Sequence, residues 1–160
     1  ININVLKNGY TAFTRDITLG GNQYTEEIQK QLSVSYEEAE ALKGGGGIVR
    51  DSQAVVPEEV EGIIQAVNEN VATEIQRSLD FYAATSTEDR IRRVYLSGGS
   101  ARVPGLTRPI RDKTGVDVEV INAFRKIEIN ERQFDIAFLN EVAPMASVAV
   151  GLALRKAGDR

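Results

Sequence analysis

Val94-Tyr95-Leu96-Ser97-Gly98-Gly99-Ser100-Ala101-Arg102-Val103-Pro104-Gly105-Leu106 decides how this chain is read. Arg93 to Leu96 is a short run with β-branched and aromatic residues, which predicts a buried strand. Gly98-Gly99 follows; two glycines in a row remove both Cβ atoms, so the backbone can turn sharply and something flat can lie against it. Pro104 suits a helix start, where its missing N–H would be unpaired anyway. Strand, glycine pair and helix start form the layout of many nucleotide-binding turns in α/β proteins, and also of ordinary strand–turn–helix connections. The residues alone leave both readings open.

Around this stretch, 160 residues with 42% apolar composition predict one domain with a real core. The net charge of −4 leaves no basic footprint for nucleic acid. The chain has no Cys and no His, which excludes disulfides, thiolate nucleophiles, imidazole bases and Cys/His metal sites. No apolar run approaches the length needed to cross a bilayer, and no signal peptide is visible. The chain begins at Ile1, without Met, directly in strand-like sequence, which predicts an N-terminal truncation.

Ile1 to Leu6 alternates apolar and polar residues, Asn8-Gly9 favours positive φ, and Tyr10 to Ile17 is again strand-forming: a β-hairpin. Gly20-Gly21 follows, either as a simple strand break or as bare backbone beside a phosphate. Asn22 is expected to cap a helix containing Ile28 and Leu32, with Glu26 and Glu27 near its positive end. Ser35-Tyr36-Glu37-Glu38 matches a capping box for a second helix running to Lys43. Glu40 and Lys43 share a face of it, either as a surface ion pair or as a carboxylate and ammonium reaching for ribose hydroxyls. Gly44 to Gly47 begin a loop extending to about Val56; without a following Lys-Ser/Thr pair it is no phosphate cradle. Pro57-Glu58-Glu59 opens the longest helix, whose apolar stripe runs from Val60 to Tyr82 and is expected to pack on a sheet or another helix. After the central stretch come a short helix over Leu106 to Lys113, a strand over Val116 to Ile121, a loop, a helical turn within Gln133 to Leu139, and an apolar helix over Pro144 to Arg155. The small residues of that last helix suit close packing on a sheet.

Leu96 to Gly105 resembles the adenosine motif of the actin/Hsp70/sugar-kinase superfamily, and Ala39-Glu40-Ala41-Leu42-Lys43 is similar to the Ala-Glu-x-x-Lys helix of its bacterial actin branch. Phe13-Thr14-Arg15-Asp16-Ile17, Glu37-Glu38-Ala39-Glu40 and the ending Ala149-Val150-Gly151-Leu152-Ala153-Leu154-Arg155 resemble the PilM family more closely still. PilM proteins are actin-like components of type IV pilus assembly, related to the division protein FtsA. The resemblance implies an α/β fold: an actin-like (RNase-H-like) second lobe with a small insert subdomain, N-terminally truncated. Residues 1–35 would form its first hairpin and helix, 36–56 the insert helix and Gly-rich loop, and 57–160 the remainder.

The same resemblance implies a site. Gly98 and Gly99 would pass beneath a nucleotide, Ser100 and Arg102 would edge or stack on adenine, and Glu40 and Lys43 would hold the ribose. Gly20 and Gly21 would lie on the phosphate side. The cofactor implied is ATP, with Mg²⁺ whose ligands would lie outside this chain. The implied role is a cytoplasmic scaffold at the inner face of the inner membrane, with little or no turnover. It would dock the cytoplasmic segment of PilN, and through PilN reach PilO and PilP; pilus motor ATPases and a ring of like subunits are further implied partners. The alternatives are an FtsA-like division actin or an ATPase or sugar-kinase-like enzyme. Lys156 to Arg160 form no basic amphipathic extension of the FtsA kind.

Overall fold

Asn8 and Gly9 both adopt positive φ (54° and 84°), as a two-residue hairpin turn demands, and this joins β1 (Asn2–Lys7) to β2 (Tyr10–Asp16). The strands pair antiparallel from Asn2 opposite Asp16 to Lys7 opposite Tyr10, with a bulge between Val5 and Leu6. The computed structural model describes residues 1–44, 58–86, 90–156 and 158. The glycines 45–47 and the expected loop to Val56, Pro57 at the expected start of the long helix, and most of the polar break at Ser86 to Asp89 lie outside those residues.

Helix α1 (Gly21–Leu32) begins directly after an extended Gly20, which takes the capping position expected for Asn22. Glu26 and Glu27 consequently fall beyond the first turn, past the reach of the positive helix end. Ser35 caps α2 (Tyr36–Lys43) with the full reciprocal box: its hydroxyl accepts from the Glu38 N–H, and the Glu38 carboxylate accepts from the Ser35 N–H. Helix α3 (Glu58–Thr85) is the spine. Its stripe Val60, Ile63, Ile64, Val67, Val71 and Ile75 is buried, and α1 and α4 (Thr107–Thr114) lie against it. Tyr24 and Ile28 of α1, Ala39 and Leu42 of α2, and Leu106 and Ile110 beside or on α4 complete one core cluster, so α2 shares the core of the rest. Phe13 of β2 meets the rings of Phe81 and Tyr82 at 5.9 and 5.8 Å, tying the hairpin to the far end of α3.

Strand β3 (Arg93–Leu96) pairs parallel with β4 (Asp117–Val120), Arg93 opposite Asp117 and Leu96 opposite Val120. β3 is half-buried, contrary to the expectation of full burial: Val94 and Leu96 pack on the core, while Arg93 and Tyr95 are exposed on the other face. Between the two strands the chain makes the Gly98-Gly99 bend, a single 3-10 turn (Gly99–Arg102) and α4. Pro104 is not at a helix start. Gly105 at φ +75° interrupts the chain after it, α4 begins at Thr107, and the proline in its first turn is Pro109. Gly115, at φ +66°, closes α4 with a left-handed cap.

Of the two C-terminal helices the first is displaced from its expected place and the second is shorter than expected. Asp135 caps α5 (Ile136–Val142), its carboxylate accepting from the N–H groups of Ala137 and Phe138, so the helix starts three residues after Gln133. Only Ser147–Ala153 of the stretch from Pro144 to Arg155 is α-helical (α6), bent 102° from α5. No residue of α6 is buried, so the expected close packing of its small residues on a sheet is not found among the described residues. No single helix among them is long and apolar enough to cross a membrane.

Candidate functional site

Three segments far apart in sequence converge at the start of α1. The carbonyl of Gly21, the hydroxyl of Thr25 and the Glu40 and Lys43 side chains form one hydrogen-bonded group. The Lys43 ammonium donates to Glu40 Oε1 at 2.5 Å, to Thr25 Oγ1 at 3.1 Å and to the Gly21 carbonyl at 3.5 Å. The Thr25 hydroxyl donates to Glu40 Oε1. Hydrogen bonds from Lys43 and Thr25 hold the Glu40 carboxyl below the usual glutamate range, so it is ionised at neutral pH. The pair is not a loose surface bridge: Lys43 keeps only 16% of its side-chain surface exposed, Glu40 36%.

The glycine bend approaches this group from the other side. A Cβ built on Gly21 would stand 2.8 Å from Ser100 Oγ and 3.7 Å from Lys43 Nζ, so a side chain here would push the Ser100 hydroxyl aside where α1 meets the bend. Gly98 has φ +96°, a conformation L side chains rarely adopt, and no atom lies within 4 Å of where its Cβ would be. Gly20 faces open space in the same way. The fold therefore brings together Gly21, Ser100, Glu40 and Lys43, with Gly20, Gly98 and Gly99 adjoining them in the chain.

Arg102 stands apart. Its guanidinium pairs with Glu141 of α5 at 3.2 Å and makes no bond to the Glu40–Lys43 group; the in-plane pair leaves the faces of the guanidinium for stacking. The bend is also held to the elbow between α5 and α6: the Gly98 N–H donates to the Pro144 carbonyl at 2.8 Å, and the Ser97 hydroxyl donates to Ser147 Oγ at 2.8 Å. Met145 Sδ packs 3.7 Å from the Cβ position of Gly99.

Sequence reasoning missed Thr25 and Asn68. Thr25 is fully buried, and the signal for it was its place one helical turn after Gly21. Asn68 breaks the apolar stripe of α3. It accepts from the Tyr24 hydroxyl at 2.7 Å and donates to the Pro104 carbonyl at 2.9 Å, clamping the chain after the bend to α1 and α3. Burial pushes the Tyr24 phenol up to about 12. A cavity of roughly 580 Å³ lies between α3 and α4, lined by Asn68, Pro104, Arg108 and Asp112 among others, and contains none of the nucleotide-site residues named from sequence. Cavity size alone does not supply oriented donors and acceptors, which the convergent polar group does.

The family model for type IV pilus assembly protein PilM matches residues 1–157. The chain belongs to the PilM family. A solved PilM–PilN type IV pilus biogenesis complex matches with a TM-score of 0.78 at 27% identity, covering 96% of this chain and 42% of that one. The ethanolamine utilization protein EutJ from Carboxydothermus hydrogenoformans matches with a TM-score of 0.63 at 20% identity, covering 96% and 44%. The EutJ match concerns the fold alone. Together with the PilM match it makes the architecture an α/β fold of the actin-like kind. This chain spans less than half the length of either matched chain.

Proposed function

We propose that this PilM-family chain acts in pilus assembly as a nucleotide-binding scaffold, holding ATP at the group built from Gly21, Ser100, Glu40 and Lys43. The observation that carries the reading is the convergence itself: the two glycine segments and the Glu40–Lys43 face, far apart in sequence, meet at one place. The residues fit such a ligand. Gly20 and Gly98 leave bare backbone with open space in front of it, which suits the close approach of a flat base or a phosphate. An ionised carboxylate accepts only, which suits sugar hydroxyls. ATP would supply contacts that order the protein; the chain's own residues bind and orient it. Gly20 and Gly21 serve the phosphate side, Gly98, Gly99 and Ser100 the base, and Arg102 stacks on the base with its in-plane bond to Glu141 kept. Mg²⁺ would accompany the phosphates.

The role extends to partners. We propose that the protein docks a PilN-type cytoplasmic segment, in keeping with its likeness to a PilM solved in complex with PilN, and through it reaches PilO and PilP at the inner face of the inner membrane. Motor ATPases and a ring of like subunits are further partners in this reading. Intact protein titrated with Mg-ATP should show saturable binding, with phosphate release no faster than background, and should co-purify with PilN. Steady turnover would replace the scaffold with an enzyme; failure to bind ATP would remove the site.

A further inference from the structure

Building on the nucleotide reading, we propose that Thr25 is a positioning residue. Its buried hydroxyl fixes the Glu40 carboxylate to accept from a sugar diol, making the site selective for a ribonucleotide over its deoxy counterparts. The donor inventory of the group leads there. An ammonium has three N–H donors, and those of Lys43 have three acceptors inside the protein: Glu40, Thr25 and the Gly21 carbonyl. Lys43 is therefore a strut, and Glu40 is the member with capacity left for a ligand. A carboxylate offers about four lone-pair positions, of which Thr25 and Lys43 take two, both on Oε1, with Tyr36 a third and weaker donor to the group. The rest of this ionised, partly exposed group accepts hydrogen bonds and repels phosphate, so its chemical complement is a neutral donor pair such as vicinal hydroxyls.

Thr25 decides where those lone pairs point. It is fully buried on α1, whereas Glu40 and Lys43 both stand on α2; Thr25 is the α1 side chain that holds the Glu40 carboxylate, while Lys43 reaches α1 a second time through the longer 3.5 Å bond to the Gly21 carbonyl. A β-branched residue is no aid to a helix interior, and its methyl alone would be supplied equally by Val. What Val would lack is the one hydroxyl that donates to Glu40 and accepts from Lys43.

The test is equilibrium titration of the intact protein with ATP, 2′-deoxy-ATP and 3′-deoxy-ATP, in wild type, Thr25→Val and Thr25→Ser. The expected result is wild-type preference for ATP over at least one deoxy analogue by about tenfold or more, the scale of a hydrogen bond to a charged group. In Thr25→Val the ratio should collapse towards one, and in Thr25→Ser it should return. A merely structural role would weaken all three ligands in parallel and leave the ratio standing, which overturns the proposal. A wild-type ratio of one overturns it without any variant, should Thr25→Val fail to fold. Absence of ATP binding in wild type overturns the nucleotide reading itself, whereas ATP binding with an unchanged ratio in Thr25→Val overturns only the role of Thr25.

Discussion

The long helix α3 and the C-terminal pair α5–α6 are both rich in apolar residues, yet they end in opposite environments. In α3, Val60 is fully buried and the stripe behind it is covered by α1 and α4. In α6, Val148 is 74% exposed and Leu152 61%, and neither α5 nor α6 contains a buried residue. The difference teaches that periodicity sets which face of a helix is apolar, while the neighbours the chain supplies set whether that face is covered. It also locates the candidate site. The polar group of Thr25, Glu40 and Lys43 sits on the well-packed side, anchored on α1 and α2. The glycine bend lies between the two regions, held to α3 through Asn68 and to the α5–α6 elbow through Pro144.

The largest effect should separate the two regions outright. Ile110→Ala removes a fully buried side chain from the α3–α4 contact and should cost about 2–5 kcal/mol in urea unfolding. Leu152→Ala should stay within about 0.5 kcal/mol. Equal costs would erase the distinction.

Next comes the clamp on the bend. Tyr24→Phe leaves a buried Asn68 oxygen without its donor, and should cost about 1–3 kcal/mol. The phenol adds a pH signature. Its folded pKa of about 12 lies above the ordinary tyrosine value of 10. The associated stability is therefore complete below pH 10 and lost as pH rises from 10 through 12. Unfolding curves across that range should steepen less in Tyr24→Phe; identical alkaline profiles would contradict the burial of this hydroxyl.

A smaller effect tests the meeting of α1 with the bend. Gly21→Ala places a methyl 2.8 Å from Ser100 Oγ and should cost about 1 kcal/mol. Adding Ser100→Ala removes the opposing oxygen and should recover most of the loss. Strict additivity of the two changes would mean that the segments do not touch.

The smallest concerns Glu40. Its folded pKa is depressed, so the stability it contributes is present above the ordinary glutamate value and lost as pH falls through the lower folded one. Glu40→Gln should flatten the acid limb of a thermal-stability profile slightly, since the carboxylate is partly exposed. An unchanged acid limb would show that the pair is a loose surface bridge.

Much of this was legible in the sequence because local chemistry decided it. Asn8-Gly9 allowed one kind of turn, Ser35 and Glu38 formed their box, and the stripe of α3 named its own buried face. The pairing of Glu40 with Lys43 followed from three-residue spacing. What failed depended on partners. Pro104 looked like a helix start until Gly105 bent the chain away, and β3 looked fully buried although Arg93 and Tyr95 leave the core on its other face. The ion pair of Arg102 with Glu141 joins residues 39 positions apart, beyond any spacing rule. Thr25 and Asn68 were illegible as site residues because a hydroxyl or amide within a helix has no fixed meaning until its tertiary partner is known.

The most direct test of the nucleotide site is the affinity of intact protein for Mg-ATP in wild type and in Glu40→Ala, with the melting temperature of each recorded alongside. Saturable wild-type binding that weakens about tenfold or more in a variant of nearly unchanged melting temperature is the expected result. Equal affinity in the two proteins would contradict it.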